Sequence, residues 1–183
     1  MKQLIIVGGA NGCGKTTFAK KYLSFHDYSF LNADEIAIEY GNDRLKNLKT
    51  GREFLKRFDE AVLNSEKIIV ESTLAGKYLI HRINELRNAG IVITLIYIFL
   101  DSLSMHIERV KIRVQKGGHD IPIEDIKRRY SRSRRNFWNA YKNIADNWYL
   151  FYNSEADFVK VARGKFEDYS VINRDLFNTF KVY

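Results

Sequence analysis

The sequence predicts a single α/β domain, a mostly parallel sheet flanked by helices in three layers. Three observations predict it. Short apolar runs recur at 3–7, 28–32, 67–73 and 91–100, and such runs suit strands buried on both faces of a parallel sheet. Segments with helical spacing separate them, giving β-α alternation. A glycine-rich turn, Gly8-Gly9-Ala10-Asn11-Gly12-Cys13-Gly14-Lys15-Thr16-Thr17, joins the first run to the first helical segment.

In chain order, Gln3–Val7 is the first strand and Thr16 to Leu23 the first helix, free of breakers. Tyr28–Asn32 is the second strand; it ends at Ala33-Asp34-Glu35, and a short helix runs on through Tyr40 to a turn at Gly41-Asn42-Asp43. From Arg44 to Asn64 the spacing is helical, with Leu48, Phe54, Leu55, Phe58 and Val62 on the apolar side and Gly51 as a candidate break. Lys67–Thr73 is the third strand, Leu74-Ala75-Gly76 a turn, and Tyr78–Asn88 a helix closed by Gly90. Ile91–Leu100, rich in β-branched and aromatic residues, belongs at the centre of the sheet. Asp101-Ser102 caps a helix whose buried face is Leu103, Ile107, Val110 and Val114. The segment 117–122 breaks it. A long helix at 123–146 follows, striped by Ile123, Ile126, Tyr130, Phe137, Tyr141 and Ile144. Trp148–Tyr152 and Phe158–Ala162 are further strands, and Arg174–Phe180 is a terminal helix.

At 183 residues the chain is expected to be one domain, 1–183, with a lid-like segment at about 109–135. Its 45% hydrophobic content is that of a globular protein. The longest apolar run, 91–100, falls short of the ~20 residues that span a membrane. The N-terminal run leads straight into the glycine-rich turn and is read as a strand, not a signal peptide. The single cysteine, Cys13, allows no internal disulfide and fits a cytoplasmic protein. Its place near a helix N-terminus would lower its thiol pKa, although a small inert loop residue is the plainer reading. The net charge of +8 favours polyanionic ligands, and the excess lies between Arg109 and Arg135.

Gly9 to Thr16 fits G-x-x-x-x-G-K-[ST], the phosphate-binding P-loop. Glycines let the backbone curl around phosphate oxygens, Lys15 brings a point charge to the β- and γ-phosphates, and the Thr16 hydroxyl suits Mg²⁺. The expected nucleotide site is therefore Gly9, Ala10, Asn11, Gly12, Cys13, Gly14, Lys15, Thr16 and Thr17, holding a nucleoside triphosphate, with Thr16 as the Mg²⁺ ligand. Gly8, Asp34, Glu71, Thr73 and Asp101 fall at carboxyl ends of strands, where α/β sheets bind ligands. Asp34 is a candidate base for a substrate hydroxyl, with a helix N-cap as its structural alternative. Glu71 and Thr73 share a face at the end of the third strand, Ser72 pointing away, and are candidates for orienting that substrate or for holding water on Mg²⁺. Arg113, Arg129 and Arg132 are candidates for stabilising a moving phosphoryl group, delivered by two helices hinged at Gly117-Gly118. Lys127, Arg134 and Arg135 are assigned to a solvated face. His119 is expected to structure the loop, and no His, Cys and carboxylate cluster has zinc spacing. Tyr152-Asn153-Ser154 is a weaker candidate border for the nucleotide base.

The P-loop, Asn32-Ala33-Asp34-Glu35-Ile36 and Val70-Glu71-Ser72-Thr73-Leu74-Ala75-Gly76, together with Arg113-Val114-Gln115-Lys116-Gly117-Gly118-His119-Asp120-Ile121-Pro122 and Ile126-Lys127-Arg128-Arg129-Tyr130-Ser131-Arg132, resemble the zeta toxin family of P-loop kinases. The resemblance spans about Lys2 to Ser154. It implies a nucleoside-kinase-like P-loop fold and transfer of the γ-phosphate of ATP to a hydroxyl, with UDP-N-acetylglucosamine the acceptor in characterised toxins. It places the base at Asp34, acceptor contacts at Glu71 and Thr73, and transition-state arginines at Arg113 and at Arg128 or Arg129. An antitoxin is the partner it implies. The alternatives are a kinase of another metabolite, nucleoside or antibiotic; a nucleic-acid-associated P-loop NTPase using the basic segment; and a nucleotide-binding regulator without activity.

Overall fold

The computed structural model describes residues 1–40, 46–154 and 157–182, excepting the side chains of residues 34 and 46–48. Its elements are β1 (Gln3–Gly8), α1 (Lys15–Leu23), β2 (Ser29–Asn32), α2 (Ala33–Glu39), α3 (Lys46–Asn64), β3 (Lys67–Ser72), α4 (Tyr78–Asn88), β4 (Val92–Phe99), α5 (Leu103–Gln115) and α6 (Ile123–Asn139). A 3-10 turn (Tyr141–Ile144), β5 (Asn147–Asn153), β6 (Phe158–Lys165), β7 (Asp168–Val171) and α7 (Arg174–Lys181) complete the described chain. The strands form one seven-stranded sheet in the order β2-β3-β1-β4-β5-β6-β7. Pairing is parallel from β2 to β5 and antiparallel for β6 and β7. The mostly parallel sheet flanked by helices is thus the observed fold, and β4 lies at its centre, between β1 and β5.

Both faces of the parallel part are buried, which explains why its strands read as continuous apolar runs. Leu4, Ile6, Ile68, Val70, Ile93 and Leu95 pack into one layer with Phe54, Phe58, Phe137 and Phe180. Ile5, Val7, Ile69, Ile96 and Ile98 face the other layer, which holds Ala19 and Cys13. The register sets the site. Val7 pairs with Glu71 and Ile96, and Asn32 also pairs with Glu71. The carboxyl ends of four strands therefore arrive at one level along one edge.

Several expectations change. Gly51 does not break α3, which runs through it with open space where a Cβ would stand. The long helix stops at Asn139, because Ala140 leaves helical geometry at φ −133°, ψ −60°. The short strand β7 was not anticipated; it follows a tight turn at Phe166, whose φ is +50°. The turn expected at 41–43 and the Leu48 side chain lie outside the described residues.

Arg134 is the largest correction. It is not solvated but 3% exposed. Its Nη2 donates to the Leu100 carbonyl at 3.1 Å, and its guanidinium lies 5.0–5.4 Å from the rings of Phe180, Tyr130 and Phe99. The buried stripe of α6 is wider than its apolar residues, because α6 is covered on that side by α7 and admits Ser133, Arg134 and Asn136 beside Tyr130 and Phe137. Arg135 and Lys127 are exposed, as expected.

Phe137 is fully buried, with its ring 4.3 Å from Tyr97 and near-parallel at 18°. Phe137→Ala is expected to lower unfolding free energy by about 3–5 kcal/mol, read as a shifted urea midpoint with an unchanged slope.

Candidate functional site

The turn after β1 has P-loop geometry. Gly9, Gly12 and Gly14 hold φ of +144°, +81° and +94°. At Gly12 an added Cβ would stand 2.7 Å from the His106 carbonyl oxygen, and at Gly14 it would meet the Asn153 amide. Positive φ and close neighbours together exclude other residues at these two positions. The loop is braced from outside. The His106 ring contacts the Asn11 carbonyl through Nδ1 at 2.6 Å; a carbonyl only accepts, so Nδ1 carries the proton. Asn153 Nδ2 donates to the Cys13 carbonyl at 2.8 Å. The candidate base-border residue is therefore a brace of the loop. Lys15 is buried and its Nζ donates to the Ala10 carbonyl at 3.3 Å. Thr16 Oγ1 donates to Glu71 Oε2 at 3.0 Å, which ties the start of α1 to the end of β3.

Cys13 is fully buried, and burial raises its thiol pKa, outweighing the lowering by Lys15. The depressed pKa expected from the helix terminus is absent, because desolvation penalises the thiolate more than the nearby charge favours it. His106 is 1% exposed, with its ring edge-on to Tyr130 at 5.1 Å. Burial holds its pKa down to about 4, against the pull of the Asn11 carbonyl and with the help of Lys15, Arg134 and Arg109.

Beside the loop lies a cavity of about 660 Å³. Lys15, Glu71 and Thr73 line it where the strands end. Arg128, Arg129 and Arg132 line it from α6, and His119 from the loop before α6. Thr50, Arg52, Phe54 and Leu55 of α3 and Tyr78 of α4 form the opposite wall, with Asn32 and Ser72 between. The structure thus brings together Lys15, Glu71, Thr73, Arg128, Arg129 and Arg132. Glu71 is 3% exposed. Arg129 Nη1 donates to Asn11 Oδ1 at 3.3 Å, and Arg128 pairs with Asp125 at 2.9 Å.

Arg113 does not line this cavity. Its Nη2 donates to the His119 carbonyl at 2.7 Å, and Gly118 N donates back to the Arg113 carbonyl, so its observed contacts close the loop between α5 and α6. Asp34 is the second residue of α2, directly after the cavity-lining Asn32 and Ala33; its side chain lies outside the described residues. Ser72 joins the cavity rather than pointing away, because strand alternation ends there. Leu74 turns at φ +54°, with its amide on Ser72 Oγ at 3.1 Å. Asn136 Nδ2 holds this turn through the Leu74 and Ala75 carbonyls at 2.9 and 3.1 Å, and Tyr141 donates to the Gly76 carbonyl at 2.7 Å.

The family profile described as an AAA domain matches residues 4–136. The chain belongs to the AAA domain family. A family relative from Haemophilus influenzae, an uncharacterized protein, is 32% identical over 127 residues, covering 67% of this chain and 88% of that one. Among solved structures, the AvrRxo1-ORF1:-ORF2 complex with ATP superposes with a TM-score of 0.74 at 19% identity, covering 98% of this AAA domain chain. The chain spans 63% of the length of that protein. The PezAT chromosomal toxin–antitoxin system of Streptococcus pneumoniae gives a TM-score of 0.57 at 17% identity, covering 100% of this chain and 80% of that one. These structures share the fold. The matched residues 4–136 run from β1 into α6 and so contain the loop, the strand-end residues and the α6 arginines of the cavity.

A neutral buried His106 gives a pH prediction. The unfolded chain takes up this proton near pH ~6.5 and the folded protein only near pH 4, so the contribution is full above ~6.5 and is lost as pH falls towards 4. The expected loss is about 3 kcal/mol. Urea unfolding at several pH values should show it, and His106→Asn, which keeps a donor without titrating, should flatten that part of the profile.

Proposed function

We propose that the protein is a kinase that transfers the γ-phosphate of ATP to a hydroxyl of a small molecule. One observation carries this reading. The P-loop lysine, a buried carboxylate at a strand end and three arginines from a separate helix line one cavity large enough for an acceptor. A switch or motor needs the nucleotide half alone; a kinase needs the second half beside it.

The residues present fit the nucleotide. Positive-φ glycines, the outward-braced carbonyls and the N-terminus of α1 suit its phosphates, and Lys15 supplies a cation to them. Thr16 and Glu71, already in contact, are the groups that would hold Mg²⁺, whose charge neutralises phosphate oxygens. Asp34 takes the acceptor proton, Thr73 and Glu71 orient the acceptor, and Arg129 and Arg132, with Arg128, stabilise charge on the transferring group. Arg113 serves this by holding the loop that sets α6 against α5.

The cavity also suits the acceptor class that the zeta toxin resemblance implies, a nucleotide sugar such as UDP-N-acetylglucosamine, with arginines for its phosphates and Phe54 and Tyr78 for its ring. A partner protein belongs to the same reading, since the PezAT system and the ORF1:ORF2 structure are both complexes.

A screen of UDP-sugars, nucleosides and aminoglycosides with ATP and Mg²⁺, read by mass, tests the reading; phosphorylation of none of them by the purified protein counts against it. With an acceptor in hand, Asp34→Asn should lower transfer at least ~10²-fold while ATP affinity is kept. Unchanged transfer in that variant removes Asp34 from the mechanism. Co-expression with the product of a neighbouring reading frame, followed by size exclusion, tests the partner.

A further inference from the structure

Asn11 stands between the P-loop and α6. It is 1% exposed, and its Oδ1 accepts from Arg129 Nη1 at 3.3 Å. A guanidinium has donors only, so the amide oxygen must face Arg129 and the amide nitrogen must face elsewhere. That nitrogen, Nδ2, is buried and has no hydrogen-bond partner among the described residues. The backbone around it is fixed: the Asn11 carbonyl is held by His106, and the preceding carbonyl, of Ala10, accepts from Lys15 Nζ. The unpaired donor is therefore one residue from the carbonyl to which the phosphate-binding lysine is anchored. A fixed, buried N–H without an acceptor is unfavourable. A phosphate oxygen held by Lys15 would satisfy it.

The geometry points to Asn11 as a γ-phosphate-sensing positioning residue. Its Nδ2 donates to the terminal phosphate of the bound nucleotide, while its Oδ1 holds Arg129 beside the same group. The amide is rigid and planar, so a phosphate contact on one end fixes the oxygen on the other and with it the guanidinium. Asn11 thereby makes the placement of an α6 arginine depend on a triphosphate in the loop. This rests on the nucleotide-site reading above and deepens it. A diphosphate fills the loop without supplying the acceptor, so Arg129 is fully ordered only with the donor nucleotide.

The test compares affinities of β,γ-imido-ATP and ADP, both with Mg²⁺, by calorimetry on the whole chain. Asn11→Ala should lower the ratio of the two affinities about tenfold, the scale of one lost hydrogen bond to a charged group. Arg129→Met should move the ratio in the same direction, and the double variant should lose little more than either single one. Equal losses for both nucleotides would show a merely structural brace and overturn the proposal, as would fully additive losses. Should Asn11→Ala unfold, Arg129→Met still decides, since its side chain lies outside the loop: an unchanged ratio overturns the coupling. Wild-type protein that binds neither nucleotide would overturn the P-loop reading itself, and the proposal with it.

Discussion

The phosphate loop cannot hold its own shape, and much of the structure exists to hold it. Two of its carbonyls, of Asn11 and Cys13, are turned outward to donors on other elements, His106 of α5 and Asn153 at the end of β5. A trans peptide sets the N–H of the next residue opposite to each carbonyl, so these two bonds also aim the amides of Gly12 and Gly14 the other way. The braces come from residues distant in sequence, and they work only because β4 and β5 lie beside β1 in that order. Sheet order is thus a condition of the anion site, and not only of the core.

Helix α6 joins the phosphate loop to the cavity beside it. Its exposed residues Arg128 and Arg132, with the half-buried Arg129, reach the cavity. Its buried polar residues do structural work one turn further on. Asn136 grips the two carbonyls beside the positive-φ Leu74, and Arg134 is enclosed by three aromatic rings and the Leu100 carbonyl. A leucine in that backbone region is unfavourable by about 1 kcal/mol or more; the bonds from Asn136 and the full burial of Leu74 offset it. The strain falls where the strand must turn so that Ser72 and Thr73 face the cavity.

Much of this was legible in the sequence because it rests on local rules. The P-loop has fixed spacing, and parallel strands announce themselves as apolar runs, so β1, β3 and β4 and the carboxyl-end position of Glu71 followed directly. What was hidden depends on contacts between distant elements. His106 looks isolated in sequence because its partner is a carbonyl, which no residue type reveals. Arg134 reads as surface because charge argues for solvent; only the packing of α7 over α6 shows that rings and a carbonyl receive it. The α3 wall of the cavity was hidden for a related reason. Thr50, Gly51 and Arg52 look like the polar side of an amphipathic helix, and helical periodicity does not distinguish a side facing solvent from one facing a cavity.

The charge of the cavity follows from the same division of labour. Lys15, Arg52, Arg128, Arg129 and Arg132 line it, against Glu71 as the carboxylate among the described lining residues. Such a wall costs stability through mutual repulsion. The protein moderates that cost by pairing outside the cavity: Asp125, one turn before the arginines, contacts both Arg128 and Arg129, at 2.9 and 3.8 Å. These pairs are partly exposed and weak, so they are readily exchanged for a phosphate. Glu71 is different. It is buried, bonded to Thr16, and fixed by pairing on both sides of its strand. The site therefore combines one immobile anion on the sheet with cations on a helix whose restraints are exchangeable. That asymmetry suits a reaction in which the strand ends must stay in place while α6 responds to what the loop has bound.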